Sequence, residues 1–97
     1  MALKIRWSPR AISNLEEICE YIARDSRYYA LALARQIVGI VEAIPRFPES
    51  GRVVPEYRDP SLREKIYKDY LIVYRIKVGC IEIATISHGT KLLDYIL

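Results

Sequence analysis

From Pro9 onward, the spacing of apolar residues changes once along this chain of 97 residues, and no other feature limits its fold as much. Between Pro9 and Pro45 the apolar residues recur every three or four positions, which is the period of a helix. After Pro60 they alternate or form short blocks, as they do in strands. The intervening segment is rich in turn residues, namely Pro48, Gly51, Pro55 and Pro60. A helical half followed by a strand half predicts an α+β domain.

The helical half is predicted to hold one strand and two helices. Apolar and basic residues alternate over residues 3–7, which predicts a half-buried strand. Ser8 is a good N-cap, and Pro9 suits the first position of a helix because its missing N–H needs no partner there. The helices are predicted from Pro9 to about Arg24 and from about Tyr28 to Ile44. Since the break between them is short, they should fold back on each other as an antiparallel hairpin.

The second half is predicted to form three consecutive strands. They span Leu62 to Lys68, Tyr70 to Lys77 and Cys80 to Ser87, and Val53–Val54 could add a short edge segment. Tight connections between the three predict an antiparallel meander. The middle strand opens with residues that are apolar on both faces, as expected at the centre of a sheet. The predicted order is β-α-α-β-β-β in a single domain, residues 1–97, with the helical hairpin on a small antiparallel sheet.

Composition excludes several classes of protein. Hydrophobic residues make up 52% and charged residues 28%, which is typical of a globular chain, and the net charge is only +3. No apolar run is long enough for a membrane span or a signal peptide, so we expect a cytoplasmic protein. Cys19 and Cys80 are expected to be small buried thiols, and with a single histidine they cannot form a structural zinc site. The chain has no phosphate-binding glycine motif, so we expect no nucleotide cofactor. We also expect no other cofactor and no small-molecule substrate.

The residues alone favour a small basic binding module. His88 is the only histidine, and it could be a turn residue or a catalyst. Arg63 and Lys65 should project from the same face of one strand and could contact phosphate, or they could belong to a solvated face. Arg52 and Glu56 could bond to each other and shape the loop, or could bind a target.

Four segments together resemble one family. They are the Trp7-Ser8-Pro9 opening, Pro48–Glu56, the pair Leu62–Glu64 and Tyr70–Ile76, and Ile86–Leu93 with its His88-Gly89-Thr90-Lys91 turn. In this order they resemble the ParE/RelE toxin superfamily of type II toxin–antitoxin systems. The resemblance implies a β-α-α-β-β-β toxin whose partner is a cognate antitoxin.

The resemblance leaves two activities open. Members like RelE cut mRNA on the ribosome, whereas members like ParE inhibit DNA gyrase without nuclease residues. Many of the nucleases carry an arginine where this chain has Leu71, and Tyr95 is out of register with their C-terminal tyrosine. The resemblance therefore favours the ParE-like branch, with a ribosome-dependent mRNA endoribonuclease as the alternative. A third possibility is an inactive relative that only binds its antitoxin.

The two activities imply different site residues. For a gyrase inhibitor there is no catalytic residue, and the candidate target-binding residues are Arg52, Glu56, Arg63, Lys65, His88 and Lys91. For a nuclease the candidate phosphate-binding and acid–base residues are Arg63, Arg75, Lys91 and Tyr95.

Overall fold

A computed structural model describes residues 3–88 of the chain. The two helices and the four longer strands follow one another in the predicted order, and two short 3₁₀ turns and a two-residue strand lie between the second helix and the meander. The elements are β1 (Lys4–Trp7), α1 (Pro9–Ala23), α2 (Arg27–Ala43), 3₁₀ turns at Ile44–Arg46 and Pro48–Ser50, β2 (Arg52–Val53), β3 (Leu62–Tyr67), β4 (Tyr70–Lys77) and β5 (Cys80–His88).

Both helices begin at serine caps. The Ser8 hydroxyl accepts a hydrogen bond from the Ala11 N–H at 3.0 Å, and Pro9 is the first helical residue, as predicted. Ser26 caps α2 in the same way through the Tyr29 N–H at 3.2 Å. Each cap satisfies an N–H that the first helical turn leaves without a backbone acceptor, which fixes where the helix starts.

The five strands form one mixed sheet in the order β1-β5-β4-β3-β2. The β3-β4-β5 meander is antiparallel as predicted, and β4 lies at the centre of the sheet. The predicted sheet was antiparallel throughout, but β1 pairs parallel to β5. This pairing is possible because the connection from β1 to β5 contains both helices and strands β2 to β4, which is far longer than the roughly dozen residues that a parallel neighbour requires. At the opposite edge, β2 is the short segment predicted near Val53.

The helices cover one face of the sheet, and this face holds the main core. Ile37 and Val41 of α2 are fully buried against Tyr74 of β4 and Ile83 of β5. A smaller apolar cluster lies apart from the helices, and it comprises Val54, Leu62, Leu71 and Val73. The loop that contains Val54 therefore covers part of the second face.

A bulge between β4 and β5 is held by the side chains of Ser8, the N-cap of α1, and of Asn14 within α1. The register shifts after Val73, so that Ala84 of β5 has no partner in β4. The Ser8 hydroxyl donates to the Ala84 carbonyl at 2.8 Å. The Asn14 carbonyl oxygen accepts from the Thr85 hydroxyl at 2.6 Å and from the Ile86 N–H at 3.1 Å. β1 ends opposite Ile83, so the backbone groups of β5 at Ala84 and Ile86 have no neighbouring strand on that side. The Ser8 and Asn14 side chains supply their hydrogen bonds instead.

Cys19 and Cys80 are free thiols, but both are half-buried rather than fully buried. Burial still raises the pKa of the Cys19 thiol. Neither described helix has the length and apolar content needed to span a membrane.

Candidate functional site

The loop before β3 is anchored by the hydroxyl of Tyr74. This fully buried side chain donates to the Pro48 carbonyl at 2.6 Å and accepts from the Gly51 N–H at 3.0 Å. Burial raises the pKa of Tyr74, so its hydroxyl stays protonated and able to donate. A Cβ at Gly51 would lie 2.6 Å from the Tyr74 hydroxyl and 2.8 Å from the Glu64 carbonyl oxygen. Gly51 is therefore required for close approach to the sheet.

Arg63 of β3 holds the same loop from its other side. Its Nε donates to the Pro60 carbonyl at 2.8 Å. Its Nη1 donates to the carbonyls of Glu49 and Gly51 at 3.1 and 3.0 Å. The sequence predicted a phosphate-contacting residue or a solvated strand face here. The structure instead places two of the guanidinium nitrogens on the protein's own backbone.

Arg52 pairs with Glu64, which corrects the suggested bond between Arg52 and Glu56. Because β2 pairs with β3, Arg52 and Glu64 are directly opposite each other and their side chains form an ion pair. The Glu64 side chain is only 2% exposed, whereas that of Arg52 is 63% exposed. Glu56 lies exposed in the turn after β2. Arg52 thus neutralises a buried carboxylate while part of its guanidinium remains open to solvent.

Arg75 of β4 is also engaged within the chain. Its Nη1 lies 3.0 Å from Oδ2 of Asp59. The backbone N–H and hydroxyl of Ser61, and then Arg75, hold the pKa of Asp59 below its ordinary value. The sequence analysis named Arg75 as a candidate phosphate-binding residue, and the structure pairs its guanidinium with a carboxylate.

The remaining predicted site residues are dispersed. Lys65 is half-buried on β3 and has no ion-pair partner among residues 3–88. His88 is exposed at the end of β5, with its ring edge-to-face on Tyr70 and 5.6 Å between the ring centroids. Lys91 and Tyr95 lie outside the described residues. Leu71 is buried in the smaller apolar cluster.

One end of the sheet brings basic and ring side chains together around a shallow depression of about 330 Å³. We call it the strand-end depression, and it is lined by Arg52, Ile66, Lys68, Asp69, Tyr70, Leu71 and His88. Burial, and then the Asp69 carboxylate, raise the pKa of Tyr70. Sequence reasoning identified Arg52 and His88 but missed Lys68 and Tyr70, although both residues adjoin the tight connection predicted between the first two strands of the meander.

The side chains at this end of the sheet offer positive charge, rings and hydrogen-bonding groups. Within residues 3–88, no three His, Cys, Asp or Glu side chains are grouped so as to hold a metal ion. Arg52 and Lys68 are exposed cations, while Tyr70 and His88 offer rings and hydrogen-bonding groups. Such a set can contact an acidic protein surface or a nucleic-acid backbone.

Sequence comparison links nearly the whole chain to known toxins. The family model described as "ParE toxin of type II toxin-antitoxin system, parDE" matches residues 5–93. The protein described as "Putative toxin Y4kP" of Sinorhizobium fredii is 38% identical over 89% of this chain and 88% of its own length. "Toxin RelE2" of Caulobacter vibrioides is 28% identical over 92% of this chain and 98% of its own length.

Solved structures share the fold. A chain of the "Chromosomal ParDE TA system from P. aeruginosa" superposes with a TM-score of 0.74 at 21% identity, covering 90% of this chain and 96% of that one. "The structure of YoeB dimer from Staphylococcus aureus" gives a TM-score of 0.59 at 17% identity, with 91% and 98% covered. At these identities the likeness concerns the fold alone.

Proposed function

The chain belongs to the ParE toxin family of type II toxin–antitoxin systems, and from this premise we propose that it inhibits DNA gyrase by binding, without catalysis of its own. It is the toxin component of such a system, so its family implies a cognate antitoxin as partner. We place the contact with gyrase at the strand-end depression, where Arg52, Lys68 and His88 are exposed.

The engagement of Arg63 is the observation that carries this proposal. A nuclease would direct such an arginine at the phosphate that is cleaved, where it would stabilise the developing charge. Here Nε and Nη1 of Arg63 are bonded to three backbone carbonyls. Arg75 is paired with Asp59. Leu71, at the position where many of the nucleases have an arginine, is uncharged and buried in the smaller apolar cluster. Arg52 and Lys68 remain exposed and can bind a partner. The guanidinium groups of Arg63 and Arg75, in contrast, are hydrogen-bonded within the chain.

A supercoiling assay with purified gyrase tests the proposal. We expect the toxin to reduce supercoiling and to accumulate a cleaved complex of gyrase with DNA. A Lys68→Ala/His88→Ala variant should inhibit about tenfold less, because two exposed contacts at the depression are lost. Arg35→Ala on the exposed side of α2 is the matched control and should inhibit like the wild type. Normal supercoiling at saturating wild-type toxin would refute gyrase as the target.

A ribosome-dependent mRNA endoribonuclease is the second candidate, and the strand-end depression gives it specific support. Tyr70 and His88 lie in edge-to-face contact beside Lys68 and Arg52. A tyrosine, a histidine and two cations are side chains that general acid–base cleavage of RNA can use. The name of the relative "Toxin RelE2" agrees with this reading.

Primer extension on translating ribosomes separates the two activities. The nuclease predicts new mRNA ends in the ribosomal A site when wild-type toxin is added, and their loss with His88→Ala. The gyrase proposal predicts no new ends at toxin concentrations that stop supercoiling. If neither effect is found for soluble, folded toxin, both functions are rejected.

A further inference from the structure

The segment that joins α2 to β2 carries an exposed apolar patch. Its two 3₁₀ turns, Ile44–Arg46 and Pro48–Ser50, flank Phe47, whose side chain is 71% exposed. The ring lies at a shallow, mainly apolar depression of about 680 Å³. We call this surface the turn patch, and its depression is lined by Arg46, Phe47, Pro48, Glu49, Ser50 and Ile76. An exposed aromatic ring beside an apolar depression is typical of a surface that binds another protein.

The backbone on both sides of Phe47 is fixed by hydrogen bonds. The Phe47 N–H donates to the Ile44 carbonyl at 3.0 Å, and the Phe47 carbonyl accepts from the Ser50 N–H at 2.9 Å. The next residue, Pro48, disfavours a helical conformation at Phe47, and its carbonyl accepts from the buried Tyr74 hydroxyl at 2.6 Å. The backbone that carries the exposed ring is thus held in place without a partner, so binding at the turn patch costs little ordering of the chain.

Two opposite charges accompany the ring. Arg46 ends the first turn and Glu49 lies within the second, and both residues are exposed. They are not within ion-pair distance of each other, and neither has an ion-pair partner among residues 3–88. The turn patch therefore presents one unpaired cation and one unpaired anion beside an apolar centre.

This arrangement of charges is complementary to itself. If a twofold axis passes through the turn patch, Arg46 of each copy faces Glu49 of the other, and the two Phe47 rings pack across the axis. An acidic partner would attract Arg46 but would be repelled by Glu49, and a basic partner would do the reverse. A second copy of this chain supplies both opposite charges and a matching ring.

We propose that the turn patch is the interface of a symmetric homodimer, with Phe47 at its centre and reciprocal ion pairs between Arg46 and Glu49 at its rim. Stable interfaces bury about 800 Å² and roughly 20–30 residues per partner, whereas six residues line this depression, so we expect a weak dimer with a dissociation constant of about 100 μM. Ile76 lies near the end of β4, whereas Tyr70 of the strand-end depression lies at its start. Both copies therefore keep the strand-end depression open, and the inference does not depend on whether gyrase is the toxin's target.

Sedimentation equilibrium of the full-length protein, at concentrations from about 10 μM to about 1 mM, tests the proposal. We expect a reversible equilibrium between monomer and dimer. Amide shifts that change with concentration in the NMR spectrum should centre on residues 46–50. Phe47→Ala should weaken the association at least about tenfold, because the central ring of the interface is lost.

Charge reversals distinguish this dimer from non-specific association. Arg46→Glu and Glu49→Arg should each weaken self-association at least about tenfold, because like charges then face each other across the axis. An equal mixture of these two variants should form a heterodimer about as strong as the wild-type dimer, since each variant supplies the charges that the other lacks. Arg35→Glu, at an exposed position on α2, makes the same change in net charge as Arg46→Glu and should leave the dimer intact.

A wild-type protein that remains monomeric at the highest concentration would overturn the proposal. A dimer that is unaffected by both charge reversals, or amide shifts that centre away from the turn patch, would overturn it too. If a variant is unfolded by circular dichroism, the amide shifts of the wild type decide alone.

Discussion

Adding a single Cβ atom at Gly51 would disrupt the loop before β3. The nearest atoms to a Cβ at this position belong to the buried Tyr74 side chain and to the backbone of Glu64. Neither can move aside easily, so we expect Gly51→Ala to lower the free energy of unfolding by about 1–3 kcal/mol. Urea denaturation followed by circular dichroism measures this.

Gly39 provides the matched control because it lies exposed within α2 with nothing within 4 Å of its added Cβ. There Gly39→Ala should raise the free energy of unfolding by about 0.5–1 kcal/mol, since alanine is the better helix former. If both substitutions change stability in the same direction, the close approach at Gly51 is not the cause.

The partners of Arg63 and Arg52 could not be predicted from the sequence. Strand alternation correctly put Arg63 and Lys65 on one face, but the acceptors of Arg63 are carbonyls of a loop whose path depends on Tyr74. The partner of Arg52 depended on the register of a strand only two residues long. Spacing along the chain suggested Glu56, whereas pairing across the sheet selects Glu64. Neither contact is encoded in local sequence.

Among the elements, α1 and the end of β5 are joined by Asn14. Replacing Asn14 by alanine removes the acceptor of the Thr85 hydroxyl, which is fully buried, and of the Ile86 N–H. Leaving buried donors without an acceptor should lower the free energy of unfolding by about 1–3 kcal/mol. Hydrogen exchange of the Ile86 amide should accelerate in addition.

Ser13→Ala is the control for Asn14→Ala because Ser13 is the exposed neighbour on the same helix. It should leave the Ile86 amide as slow to exchange as in the wild type. Unchanged exchange in Asn14→Ala would show that the bulge is held by the strands themselves.

Most elements of the fold could be predicted from the sequence because helix caps and strand patterns are local features. Ser8 with Pro9 marked the start of α1 to the residue, and Tyr70–Lys77 was predicted with its observed bounds. The parallel pairing of β1 with β5 was not predicted, since nothing within residues 3–7 specifies a partner that lies more than seventy positions later. The bulge at Ala84 was missed for the same reason, because its stabilising contacts come from Ser8 and Asn14 in the other half of the chain.

Across the whole molecule, the residues of the core and the exposed cations occupy separate regions. The helices and the buried side chains of β4 make the core, and the arginines Arg63 and Arg75 fasten loops to the sheet. Exposed cations lie at the strand-end depression and on β1, and others lie on the helices and in the turns.

Stability of the whole molecule should depend on pH through Asp59. Ser61 and Arg75 favour its charged form in the folded state, so its folded pKa lies below that of the unfolded chain. A group with a lowered folded pKa stabilises the protein above its unfolded pKa, about 3.9 for aspartate, and this contribution disappears as the pH falls through the folded pKa. For a small domain that unfolds in one step, the loss appears in the global transition.

Urea denaturation between pH 7 and pH 3 should therefore show that the free energy of unfolding falls less steeply with pH for Asp59→Asn than for the wild type. Asp25→Asn, at an exposed carboxylate in the turn between the helices, controls for the removal of a surface charge as such. Parallel declines for the wild type and Asp59→Asn would mean that the contacts of Asp59 with Ser61 and Arg75 do not favour its ionised form.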